Sequence, residues 1–176
     1  MNMESDRPKS EARAMSGYAT EADFCKDLAE GLKPLYLLAF LLTGRHIEAE
    51  RCFTATVEDA LGAHGVFKGW ERSWSKRCLI THAIRVVFSG APEKGVGPDS
   101  WCEFDRESTE RSVVNAIAGL VPPLQRFVFV MSVLEKYSDH ECALLLGCTP
   151  RRVLEARNHA LGQLSGVNPG LTKLAG

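Results

Sequence analysis

Two helix signals stand back to back over residues 138–164, with only Gly147 and Cys148 between them. Ser138 is placed to cap a helix whose third residue is Glu141, so that hydroxyl and carboxylate each accept from the other's backbone N–H in a capping box. Gly147 stops that helix, because a residue without Cβ enters the left-handed region at no steric cost. Thr149 caps the next helix, and Pro150 occupies its first position, where a missing N–H is no loss. Two intervening residues permit only a tight turn, so the pair reads as a helix-turn-helix. Cys142, Ala143, Leu145 and Leu146 give the first helix its apolar side. On the second, a wheel centred on Val153 turns Ala156, Ala160, Leu161 and Leu164 inward and Arg151, Arg152, Glu155, Asn158 and His159 outward. Arg157 falls toward the inward side, where a guanidinium needs a partner or must snorkel out.

Helical spacing also organises the chain upstream. Thr20 and Asp23 make a second capping box, followed by Phe24, Leu28, Leu32, Leu35, Leu38 and Leu42 at helical intervals; Pro34 is expected to kink or split this helix. A second helix is expected over 47–63, burying Cys52, Phe53, Val57, Ala60 and Leu61, and a third over 70–88. A fourth spans about 107–119, and 120–137 supplies the first of three closing helices. There is no strand-like alternation, repeat or phosphate loop. The expected fold is all-α, with two small helical domains, 20–88 and 107–165. The Gly- and Pro-rich segment at 89–106 is a flexible linker, and 1–19 and 166–176 are tails.

Over 176 residues the net charge is only −1, so any nucleic-acid contact must be local. The charge is indeed segregated: 20–62 holds eight acidic residues against four basic, whereas 68–87 holds five basic residues against Glu71 alone. The third helix gathers Leu79, Ile80, Ala83, Ile84, Val86 and Val87 on one side and Trp74, Arg77, Cys78, Thr81, His82 and Arg85 on the other. An indole among cations suits unpaired bases, the ring stacking and the cations holding phosphates; the alternative is that Trp74 packs against the first helix beside an ordinary wet face. Six cysteines lack zinc spacing and are expected to be reduced, packed thiols, with Cys142 and Cys148 a conceivable redox pair. No metal or cofactor is expected. Cys78 and His82 share a face at i and i+4, but no third group to orient them is legible, and no enzyme is expected. Without a signal peptide or an apolar run long enough to span a bilayer, the chain is expected to be soluble and cytoplasmic.

The segments LVPPLQR (120–126) and EKYSDHECALLLGCTPRRV (135–153) resemble region four of bacterial RNA polymerase sigma factors of the extracytoplasmic-function (ECF) class. LYLLAFLLTGRHIEAERCFTATVEDAL (35–61) resembles region two of that class, and WSKRCLITHAIRVV (74–87) the helix that follows it. The resemblance covers about 20–164 in matching order. It implies a dissociable polymerase subunit whose two helical domains recognise two promoter elements and open the duplex, with core RNA polymerase, promoter DNA and an anti-sigma factor or other regulatory protein as partners. By position, Arg151, Arg152, Glu155, Asn158 and His159 would meet the upstream element. Lys68, Trp70, Arg72, Trp74, Lys76, Arg77, His82 and Arg85 would meet the downstream one, and Glu48, Glu50, Arg51 and Thr54 the polymerase. The chain departs from the family at Arg51, Thr54 and Ala55, and again at Ile80 and Thr81, where an arginine and an asparagine are usual. A second reading therefore stays open: a sigma-like interaction regulator that has lost promoter opening. The segregated charge also suggests that the two halves pack together and hide both DNA surfaces until a partner binds.

Overall fold

The computed structural model describes residues 17–89 and 108–165. Among these residues it is all-helical, with one isolated antiparallel bridge between Tyr18 and Phe67. The helices are α1 (Glu21–Thr43), α2 (His46–Leu61), α3 (Glu71–Ser89), α4 (Ser108–Ala118), α5 (Pro123–Phe129), α6 (Asp139–Leu146) and α7 (Pro150–Ser165). α5 runs on into a π-helical stretch, Val130–Leu134. The expected linker beyond Ser89 and the tails 1–16 and 166–176 lie outside the described residues.

Local chemistry accounts for the helix ends. At α1 the Asp23 carboxylate accepts from the Thr20 N–H at 2.8 Å while Thr20 Oγ1 accepts from the Asp23 N–H at 3.3 Å. These bonds to Thr20 hold Asp23 below the usual carboxylate range. Ser138 and Glu141 repeat the arrangement at α6, with the corresponding distances 2.8 and 3.3 Å. Gly44 and Gly147 close α1 and α6 with φ of 74° and 62°.

Three expectations are corrected. Pro34 does not split α1, which continues through it to Thr43. Pro34 and Glu30 are both exposed, so the hydrogen bond that proline removes is lost on the wet side, where it costs least, while Leu35, Leu38 and Leu42 stay buried. Leu32 is half exposed rather than buried, because Gly31 takes the inward position beside Arg72. Leu61 is exposed too, since α2 ends there rather than at 63.

α1 packs against α2 and α3, which also pack on each other, and α7 packs on α5 and α6. The inner stripes of all these helices meet in one apolar cluster that includes Phe24, Leu42, Leu79, Phe127, Met131 and Leu164. Full burial of a side chain such as Phe127 stabilises by about 1.5–3 kcal/mol, so this cluster is what holds the short helices in place. α1 is the element both groups share, because its C-terminal half also touches α4 and α5. Phe88 at the end of α3 meets Phe127 of α5 with ring centroids 5.2 Å apart, and Lys76 of α3 is ion-paired with Glu135.

Candidate nucleic-acid interface

α7 begins where the sequence places it. Thr149 Oγ1 accepts from the Arg152 N–H at 3.3 Å, and Val153, Ala156, Ala160 and Leu164 are buried as the wheel requires. Arg151, Arg152, Glu155, Asn158 and His159 are all exposed, so one solvent face carries every side chain assigned to it. Arg151 is bonded to Glu155 at 3.0 Å, an exposed pair of little energetic weight that water or a phosphate can displace. Arg157, the residue that needed a partner, finds it on the neighbouring helix: Nη1 and Nη2 both donate to the Asp139 carboxylate. The bond crosses from α7 to the first turn of α6 and ties the two helices of the turn together.

The basic third helix is assembled differently from its sequence. Lys68 and Trp70 lie in the turn before α3. Lys68 is 3.8 Å from Asp23, Arg72 is bonded to Asp27 at 3.0 Å, His82 Nε2 is 2.8 Å from Asp59, and Lys76 meets Glu135. Arg77 and Arg85 are exposed and have no ion pair among the described residues. Three of the five cations counted over 68–87 are therefore answered by acids of α1 and of the segment before α6, and Asp59 of α2 is hydrogen-bonded to His82. Trp74 packs edge-on against Phe24 of α1 at 5.3 Å, which is the packing alternative, while Trp70 is 65% exposed. The four residues assigned to polymerase sit on α2, where Glu50, Arg51 and Thr54 are exposed and Glu48 is bonded to Arg45 at 3.1 Å.

Neither a protein-family model, nor a curated protein, nor a solved structure matches the chain.

The remaining chemistry-bearing groups are accounted for by their surroundings. Asp59 supplies the third group that Cys78 and His82 lacked in sequence, yet burial, and then the charge of Asp59 itself, push the Cys78 thiol up, away from the thiolate a nucleophile needs. Burial also raises the Cys142 and Cys148 thiols. Among the described residues no group of three or more His, Cys, Asp or Glu is placed to hold a metal ion, and no helix is long and apolar enough to cross a membrane.

Sequence reasoning missed Arg126. Its side chain is only 7% exposed, and its guanidinium donates to the carbonyls of Leu42 (2.8 Å), Ala118 (2.9 Å) and Thr43 (3.0 Å). A charged residue set directly before the apolar run FVFVM was the available signal, but its partners are backbone atoms remote in sequence. Also missed was the wall that residues 135–137 build opposite the start of α3.

Proposed function

We propose that the chain is a transcription initiation subunit of the ECF sigma type, which carries RNA polymerase to promoters through the solvent face of α7. The observation that supports this most is the capped α6–turn–α7 unit, with Arg151, Arg152, Asn158 and His159 together on the exposed side of its second helix. An arginine pair at the N-terminal tip suits guanine edges and phosphates, and an asparagine nearly two turns further suits adenine. The α2 face bearing Glu50, Arg51 and Thr54 is the polymerase-docking side in this reading, with Glu48 behind it.

One observation favours the second reading, a sigma-like regulator that engages polymerase, an anti-sigma factor or another regulator without opening promoters. Lys68, Arg72, Lys76 and His82 each face a carboxylate of the chain itself, so a separated strand would have to displace those contacts or rely on Arg77 and Arg85. Purified full-length chain titrated with core RNA polymerase, and then with promoter-like duplexes over a salt series, tests both. Polymerase binding with duplex binding that depends on Arg152 is the expected result. A complex that binds but leaves the duplex closed selects the regulator; a chain that ignores both polymerase and DNA overturns both readings.

A further inference from the structure

Between the start of α3 and the turn after the π-helical stretch lies a groove of about 720 Å³, lined by Phe67, Trp70, Trp74, Arg77, Lys136 and Tyr137 among others. Its volume is in the range of sites for a single small ligand. Phe67 is stacked on Tyr18 at 5.0 Å and meets Trp70 edge-on at 6.5 Å, while Trp70 is 65% exposed and so keeps apolar ring surface available for stacking.

The charges in the groove sort into used and unused. Lys76 and Glu135 neutralise each other, while the Glu141 carboxylate, held ionised by the Ser138 hydroxyl and N–H, offsets one of the two remaining cations, Arg77 and Lys136. Arg77 and Lys136 have no ion pair among the described residues, so the groove carries a positive excess beside its aromatic faces. Lys136 is held at φ 61°, a left-handed conformation in which a lysine is strained and a glycine would be at ease. Only Glu135 separates it from the π-helical stretch, itself a departure that recurs at binding sites.

A strand running on along α3 or α1 would first have to displace the Lys68–Asp23 and Arg72–Asp27 pairs and the His82–Asp59 hydrogen bond, whereas Arg77 and Lys136 have no ion pair to give up among the described residues. We propose that the groove binds one free nucleoside di- or triphosphate, its base stacked on Trp70 and its phosphates held by Arg77 and Lys136. Because the walls belong to α3 on one side and to residues 135–137 on the other, the ligand would also clamp the two helical groups together. This inference uses no residue of α7 or α2, but it shares Trp70 and Arg77 with the strand-holding role of α3, which the single-strand arm of the test separates from it.

The test is calorimetry and tryptophan fluorescence on the full chain with ATP, GTP, adenosine, tripolyphosphate and a ten-nucleotide single strand. ATP or GTP should bind, with adenosine and tripolyphosphate each weaker by about tenfold or more, because stacking and charge are both required. Trp70→Ala and Arg77→Ala should each weaken the nucleotide by about tenfold. Lys136→Gly is the decisive variant: it removes the cation but relieves the strained φ, so it should lose affinity while melting no lower than the parent chain. Absence of nucleotide binding up to roughly 5 mM would overturn the proposal. So would tripolyphosphate binding as tightly as ATP, affinity unchanged in Lys136→Gly, or a single strand that binds through Trp70 where free nucleotide does not.

Discussion

Arg126 Nη2 donates to the Thr43 carbonyl at 3.0 Å, so a cation on α5 completes the last turn of α1. The end of a helix leaves carbonyls without donors and carries a partial negative charge, and α1 has no basic residue of its own there. Arg126 serves the Leu42 carbonyl as well, and through Ala118 it serves the end of α4. Burial lowers its pKa to about 10, which still leaves it charged at neutral pH. Gly44 makes the approach possible, since a Cβ there would lie 2.9 Å from both the Ala118 carbonyl oxygen and Arg126 Nη1.

Arg126→Ala strips the donor from three buried carbonyls and should cost roughly 3 kcal/mol or more, read as a lower denaturant midpoint. Gly44→Ala should destabilise independently, because its φ of 74° and the short contacts both oppose a side chain. An unchanged midpoint in both variants would show that this junction does not hold the helical groups together.

The buried thiols give the fold an alkaline limit. Burial pushes Cys52 and Cys142 from 9.0 up to about 11. The folded state therefore keeps its thiol protons after the unfolded chain has released them. The stability contributed by neutral burial is complete below pH 9 and is lost as pH rises toward 11. Arg126 works with the opposite sign above pH 10, since its folded value is the depressed one. Thermal melts at intervals from pH 8 to pH 11 should fall through this window, and should fall less in a Cys52→Ala, Cys142→Ala double variant.

On α7, Arg152→Ala should leave the melting temperature unchanged, because the side chain is exposed and has no ion pair among the described residues. If it reads a base, it should cost roughly 1–3 kcal/mol of discrimination at one promoter position. A loss that is uniform across sequences, with a shallower salt dependence, would assign it to a phosphate instead. Competition assays over single-base-pair promoter variants separate the two.

Features governed by neighbours in sequence were legible before any coordinates. Both capping boxes, the Gly147 stop and the inward stripe of α7 depend on residues close in sequence, and a linear pattern carries them. What escaped depends on groups distant in sequence. The charge count over 68–87 was correct, but it could not show that Asp23, Asp27 and Glu135 elsewhere in the fold answer three of those cations. Trp74 shares a helix face with Arg77 in sequence and shares a contact with Phe24 in space. Arg126 was least legible, because its partners are backbone carbonyls, and every residue has one.

Asp139 and Arg157 lie between these extremes, and their pairing links the fold to the α7 face. The wheel showed that Arg157 pointed inward and needed a partner; only the crossing of the helices supplies Asp139, half-buried, with Nη1 and Nη2 of the guanidinium each donating to its carboxylate. Asp139 also lies in the first turn of α6, where a negative charge is favoured by the helix dipole. A double-mutant cycle with Asp139→Ala and Arg157→Ala should return a coupling of about 1 kcal/mol. Arg157→Lys should keep the charge but lose the two-pronged geometry, and so recover only part of that coupling. If the pair also sets the presentation of α7, Arg157→Ala should weaken duplex binding even though Arg157 lies outside the exposed face. A variant that loses stability but binds DNA as tightly as the parent would restrict the pair to folding alone.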